Sequence, residues 1–308
     1  MGTELDDALS DASHHGDVKE VKSLIKKGAN VDAKDTLGFT PLFHAAEHRQ
    51  LGLVKFLIDK GANVNEQDRL GGTALVHASH RDNNLNVIKY LIDKGAGVDY
   101  KDHTGRTALM WAASHGDFET ARYLVENGAD IHARDEDGVT VLMHAAEKGN
   151  PELIKYLIDK GAKVNEKRSS RGTWTALTYA AGWGGHLEAV KILVEHGANF
   201  TERDHEGLNP MMCAALRGHL EVVKYLFEKG TELDVKDNKG KTALVLAAEN
   251  GRLEVVKFLV ENGRADFDAK LAALIPAKER GHISIEDYLK SVMKEKEAPP
   301  KPKPMKLR

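Results

Sequence analysis

Apolar residues in this chain come in short bursts at helical spacing, separated by polar turns. The stretch Asp102 to Arg134, DHTGRTALMWAASHGDFETARYLVENGADIHAR, shows the pattern most cleanly. Asp102 to Gly105 is turn chemistry, with Gly105 free to take positive φ. Thr107 is placed to cap a helix, because its hydroxyl can accept from an orphan amide of the first turn. A short helix over Ala108 to Ser114 follows, whose small Ala112 and Ala113 admit a neighbouring backbone, and Gly116 breaks it. A second helix, Phe118 to Asn127, carries an apolar stripe at Phe118, Ala121, Leu124 and Val125. Gly128 closes it as a C′ glycine, and Ile131 is expected to point inward from an extended segment. Neither helix can bury its apolar face alone, but a stack of such units can.

The closing glycine recurs at Gly28, Gly61, Gly95, Gly128, Gly161, Gly197, Gly230 and Gly263, at intervals of 33 to 36 residues. The turn glycines Gly38, Gly71, Gly105, Gly138, Gly207 and Gly240 keep the same phase. So do the phrases Thr40-Pro41-Leu42, Thr73-Ala74-Leu75, Thr107-Ala108-Leu109, Thr140-Val141-Leu142, Thr175-Ala176-Leu177 and Thr242-Ala243-Leu244. This pattern resembles the ankyrin repeat, with its T-P-L-H-x-A-A signature at the first of two antiparallel helices. The resemblance covers roughly residues 4 to 293. It implies an all-α solenoid of stacked helix-turn-helix units, with β-turn or hairpin loops and a concave groove. One departure is systematic: the family's His after T-P-L is replaced by Phe43, Val76, Met110, Met143, Thr178, Met212 and Val245. That His braces the turn by a hydrogen bond in the family, so packing is expected to do so here.

The register divides the chain into repeats near 4–34, 35–67, 68–101, 102–134, 135–167, 168–203, 204–236 and 237–268. A capping unit at 269–293 and a disordered, Pro- and Lys-rich tail at 294–308 complete it. Asp6, Asp7 and Asp11 are expected on the solvent face of an N-terminal cap. Glu286, Lys290 and Lys294 are expected to solvate the outer face of a C-terminal one. The third repeat gains a residue near Asn83 and Asn84. The sixth gains two in its turn (Arg168 to Thr175) and one in Gly182-Trp183-Gly184-Gly185, and lacks the Asp that opens every other full repeat. Insertions in solenoids map to loops, often on the binding face.

Composition narrows the classes. Of 308 residues, 41% are apolar and 30% charged, as in a soluble protein, but the repeat predicts one domain built from nearest-neighbour interfaces. A net charge of −3 makes no electrostatic case for nucleic acid, and none is expected as partner. One cysteine, Cys213, excludes an internal disulfide and suits a reducing compartment. With no secretory leader and no apolar run of membrane-spanning length, the expectation is a cytoplasmic monomer without membrane contact.

No catalytic constellation survives inspection, and the chain is expected to be no enzyme, with no cofactor and no resident metal. Gly240-Lys241-Thr242 resembles the end of a phosphate loop, but Val235 stands where that loop needs glycine. Cys213 sits among small residues and reads as buried and inert. His44 and His48 share a helix face and could chelate zinc with His77 or His15 in an adjacent repeat. The favoured reading of these histidines is a wet, polar helix face.

In proteins that resemble this one, variable positions of the turns and first helices bind partners. The slot after the turn glycine holds Arg106 and Trp174; the mid-helix slot holds Trp111 and Tyr179; the slot ending the first helix holds His115, Lys148, Trp183 and Arg217. All three tryptophans fall in these slots, and Trp, Tyr and Arg are enriched at binding hot spots. Where the sixth repeat lacks its acid, Lys167, Arg168 and Arg171 stand together as a basic rim. The expectation is a non-enzymatic scaffold or adaptor that binds a protein or peptide through the groove and turn tips of repeats four to seven. An alternative is a small-ligand or oligonucleotide sensor using Phe39, Trp174, Lys101 and Arg134; another is an inhibitor of a partner enzyme.

Overall fold

A computed structural model describes residues 4–81, 83–169, 172–263 and 265–294. The predicted tail lies outside these residues except for Lys294, and Arg171 lies outside them too. The described residues are helical as expected. In chain order they form α1 (Glu4–His14), α2 (Val18–Lys26), α3 (Pro41–Glu47), α4 (Leu51–Asp59), α5 (Ala74–Ser79) and α6 (Leu85–Asp93). Next come α7 (Ala108–His115), α8 (Phe118–Glu126), α9 (Val141–Lys148), α10 (Pro151–Asp159), α11 (Ala176–Thr178) and α12 (Leu187–Glu195). The last six are α13 (Pro210–Arg217), α14 (Leu220–Glu228), α15 (Ala243–Glu249), α16 (Leu253–Asn262), α17 (Phe267–Glu279) and α18 (Ile283–Lys294). Among the described residues the only extended pairing outside helices is an isolated antiparallel bridge, Arg134 to Thr140.

The chain falls into two compact units. One takes the described residues through Tyr179 together with Lys191–Ala198, and the other takes Ala180–Val190 and the described residues from Asn199 onward. In the first unit α1, α3, α5, α7, α9 and α11 pack in series, and α4, α6, α8 and α10 pack in a second series. In the second unit α13, α15 and α17 do the same, backed by α14, α16 and α18. Paired alanines such as Ala45 and Ala46, Ala112 and Ala113, and Ala247 and Ala248 are at most 1% exposed and let the first helices close up. Outer helices such as α4, α6 and α10 add an aliphatic trio, Leu153, Ile154 and Leu157 in α10. Burying such a side chain is worth roughly 1.5–3 kcal/mol, whereas a nine-residue helix alone is marginal in water. The stripe of α8 is narrower than predicted: Ala121 and Leu124 are buried, but Phe118, Val125 and the following Ile131 are only half-buried.

The turns are not held by packing alone, which corrects the expectation above. In four turns the opening aspartate, Asp35, Asp68, Asp102 or Asp135, accepts on both carboxylate oxygens. Asp68 takes the Leu70 and Gly72 amides at 2.7 and 2.9 Å on one oxygen, and on the other the ring Nε2–H of His77 at 2.7 Å. Asp35 does the same with the Leu37 and Phe39 amides (2.8 Å each) and His44 (3.1 Å). Asp135 takes the Val139 amide and His144, at 2.8 and 3.3 Å. At Asp102 the ring donor is the indole of Trp111, at 2.8 Å. The brace has moved one residue along the helix from the family's His slot. Its donors His44, His77 and His144 are at most 9% exposed, so they do not form a wet face.

Basic residues preceding these aspartates tie each turn to the next. Lys34 Nζ donates to the Gln67 carbonyl, Lys101 Nζ to that of Arg134, and the Arg134 guanidinium to that of Lys167, each at 3.0 Å and each 33 residues on. Arg203 reaches the Lys236 carbonyl in the same way.

The irregular stretch from Arg168 to Gly185 absorbs its insertions in two ways. The Arg168 amide donates to the Trp174 carbonyl at 2.8 Å, two residues further along than in the regular turns, where Asp135 N reaches Val139 O. The extra residue in the helix becomes a π-helix, Tyr179–Gly184, before Gly185 turns the chain at φ +64°. A π turn takes up one residue by widening the helix. Both glycines flanking Trp183 on the inside are needed: a Cβ at Gly182 would lie 2.9 Å from Cys213 Cβ, and one at Gly185 would lie 2.3 Å from His219 Nδ1.

Three substitutions test this account. Asp68→Ala should lower the unfolding free energy by about 2–4 kcal/mol, since it strands two amides and a buried ring N–H. Asp237→Ala should cost less, about 1–2 kcal/mol, because Leu246 stands in its ring-donor slot; equal losses in urea titrations would show that the ring bond contributes nothing. Gly185→Ala should lose about 1–3 kcal/mol through strain and overlap, read as a lower Tm with unchanged far-ultraviolet dichroism.

Candidate functional site

The first unit contains two clusters of the predicted site residues. In one, the Arg106 guanidinium lies 4.8 Å from the centre of the Trp111 ring, itself half-buried and fixed by its bond to Asp102. His80 packs on the opposite side of this row with its ring centre 4.0 Å from that of Trp111, and His115 follows at 6.2 Å. The His115 ring is oriented by Nδ1, which donates to the Trp111 carbonyl at 2.8 Å. Arg106 also approaches Asp135 at 3.6 Å. Lys148, at the end of α9, is exposed.

The second cluster overturns the expected free basic rim. Arg168 is not an unopposed cation: it pairs with Asp137 at 3.0 Å, donates to the Tyr179 hydroxyl at 3.3 Å and lies 5.8 Å from the Trp174 ring centre. Its side chain is only 14% exposed. Arg168 and Tyr179 therefore occupy the places of Asp and His in the regular turns, with donor and acceptor exchanged. Tyr179 is 5% exposed, and Trp174 meets it edge to face at 5.8 Å and stays half-buried. Lys167 is exposed. The acid that sequence reasoning missed, Asp137, sits in the preceding turn, in a slot held elsewhere by Leu37, Leu70 and Thr104.

In the second unit, Trp183 projects from the π-helix with 47% of its surface exposed. The guanidinium of Arg217, at the end of α13, lies 4.3 Å from its ring centre. A cation over an indole face is worth about 0.5–1 kcal/mol when exposed and more when a partner excludes water. Cys213 is half-buried rather than buried as expected, and desolvation pushes its thiol up to about 12.

The histidine-rich face of the first unit forms a row of rings. His14 meets His44 at 5.3 Å, Phe39 meets His77 at 4.8 Å, and His77 meets His80 at 5.5 Å. One ring nitrogen of each histidine weighed as a zinc ligand is already bonded: His44 to Asp35, His77 to Asp68, His48 Nδ1 to the His44 carbonyl at 2.7 Å and His15 Nδ1 to the Asp11 carbonyl. Among the described residues no group of three or more His, Cys, Asp or Glu side chains is arranged to hold a metal ion. The cations of the sensor alternative, Lys101 and Arg134, are likewise bound to neighbouring carbonyls.

Comparison with known families accounts for this architecture. A family model for ankyrin repeats (three copies) matches residues 2–68, 63–135, 129–204 and 201–271, and the chain belongs to the ankyrin-repeat family. Comparison with curated proteins yields no match. Ankyrin repeats are generally protein–protein interaction modules and typically non-enzymatic. Among the described residues no helix is long and apolar enough to cross a membrane.

The row of rings predicts a pH dependence. Burial, reinforced by neighbouring His77 and opposed by Asp102, lowers the His80 pKa from 6.5 to about 4. Burial lowers that of His44 as well, against the pull of Asp35. A depressed histidine binds fewer protons folded than unfolded, so its stabilisation is complete above pH 6.5 and is lost as pH falls toward about 4. Below that the turn carboxylates continue the loss. Burial alone would raise Asp68 and Asp135, but His77 and His144 with the turn amides outweigh it and leave both below 3.8. Urea titrations at pH 7, 5.5 and 4.5 should show falling stability, with a shallower slope in His80→Asn; a flat profile in the parent would contradict the assignment.

Proposed function

We propose that the chain is a non-enzymatic adaptor whose second unit grips a protein or peptide partner through Trp183 and Arg217. The observation that carries this reading is the exposed indole. In a chain whose other two tryptophans are half-buried, Trp183 shows 47% of its surface and is lifted outward by a π turn. Holding a half-exposed indole in water costs stability that a partner's apolar surface returns. Arg217 stacks on one side of the ring, which pre-orients both groups and reduces what binding has to order. Together they suit a partner segment that offers an apolar side chain beside a carboxylate.

Within the first unit, Arg106, Trp111, His115 and Lys148 are the positions suited to a separate contact of the same kind. Trp174, Tyr179 and Arg168 support the turn there, and Lys167 flanks them. The family supports protein binding in general; the choice of these residues rests on exposure and geometry.

Capture from native lysate with the intact chain tests the reading. A partner held by the parent should be lost, with affinity at least 30-fold lower, in Trp183→Ala, and weakened several-fold in Arg217→Ala; truncation of a hot-spot aromatic costs about 2 kcal/mol or more. Helicity should be unchanged in both. Equal capture by parent and Trp183→Ala would remove Trp183 from the site.

A further inference from the structure

The last described helix pair does not present the polar face expected of a cap. Its second helix meets the expectation in part, since Glu286 and Lys290 pair across one turn at 2.5 Å. Its first helix, α17, is apolar on two sides. Ala273 and Ala277 are fully buried on the side facing α15. On another side Phe267, Leu271 and Ile275, at successive four-residue steps, stand 53%, 39% and 52% exposed. Terminal repeats need a polar outer face for solubility, and a helix that is apolar all round belongs in an interior.

The charges on this face select what covers it. Asp268 and Lys278 are both exposed, and they flank the stripe at opposite ends. An antiparallel copy of the helix with its dyad at Ala273 sets Leu271 against the partner's Ile275 and Asp268 against the partner's Lys278, twice over. The helix dipoles then oppose each other favourably as well. A surface that complements itself about a dyad is the signature of a twofold, isologous contact.

We propose that α17 is the interface of a homodimer, in which the stripe Phe267, Leu271 and Ile275 packs antiparallel on the same stripe of a second copy. This departs from the monomer expected of the sequence and is independent of the Trp183 site. One helix face per copy is a small interface, so the association should be weak, with Kd on the order of micromolar.

Sedimentation equilibrium of the full chain from about 1 to 300 μM should show a monomer–dimer equilibrium in that range. Ile275→Asp should leave a monomer throughout, whereas Trp183→Ala should dimerise like the parent. Lys278→Glu should weaken the dimer about tenfold, and Asp268→Lys combined with Lys278→Glu should restore it. Oxidation of a mixture of Leu271→Cys and Ile275→Cys chains should cross-link the two faster than either chain with itself. The native thiol of Cys213, pushed up to about 12 by desolvation, contributes little background. A parent that stays monomeric at 300 μM, an Ile275→Asp chain that still dimerises, or a charge swap that fails to rescue would each overturn the proposal.

Discussion

Among the described residues six helix pairs are followed by a polar loop that has to be held in one shape, and a carboxylate does it. By accepting turn amides on one oxygen and a ring N–H from the next helix on the other, as Asp68 does, it fixes the loop's path and its angle to the helix together. Further contacts depend on that fixed path. Once the turn is set, its carbonyls stand where the preceding turn's cation can reach them, as Lys34 reaches Gln67 and Lys101 reaches Arg134. The turn backbones then bond to one another, Glu136 N to Thr104 O at 2.9 Å and Asn238 N to Glu206 O at 2.9 Å. The apolar helices supply most of the stabilisation, but they have no directionality of their own. The bonds in the turns set the register in which the alanine faces meet.

Much of this was readable in the sequence, and the reason is local. The glycine period, the threonine caps and the helix breaks depend on residues within one or two turns of each other. Thr107 accepts from the Met110 amide and Gly116 sits at φ +74°, as the local pattern predicts. What the sequence hid lies across longer separations. Whether His77 faces solvent or a turn is decided by where Asp68, nine residues earlier, comes to rest. That Arg168 is neutralised depends on Asp137, 31 residues earlier, in a slot that holds leucine, threonine, glutamate or lysine in other turns. The one-residue insertion near Trp183 had two physical solutions, a longer loop or a wider helix. Only the close approach of Cys213 and His219 to Gly182 and Gly185 shows why the helix widens.

The exchange of Asp and His for Arg168 and Tyr179 shows how much freedom the clamp allows. Polarity is reversed, the loop is two residues longer, and the closing bond from Arg168 N to Trp174 O survives at 2.8 Å. Where turn and helix make this polar contact, either side can donate; at Asp237, where Leu246 stands in the ring-donor slot, the carboxylate still holds the turn amides. It follows that charge counts overstate the charge offered to a partner. Lys34, Lys101, Arg134 and Arg203 add to the 30% charged composition, yet each serves as mortar between neighbouring turns. Residues such as Lys148 and Arg217, at the ends of first helices, are where cationic surface is open to a partner.

A stack held by nearest-neighbour contacts has a different problem at its ends, where one neighbour is missing. The first and last helix pairs among the described residues present unlike faces. In α1 the side facing the next helices is buried through Leu9 and Ala12, while Asp7 and Asp11 are exposed, so the first unit closes itself with charge. In α17 the equivalent of that charged face is Phe267, Leu271 and Ile275. Nothing in the repeat logic demands apolar residues there, because the inward contact is already made by Ala273 and Ala277. Three large side chains at one helical spacing, bracketed by Asp268 and Lys278, are instead what an interior helix carries. Among the described residues α1 presents charge to water, whereas α17 presents an apolar stripe that the proposed dimer would cover.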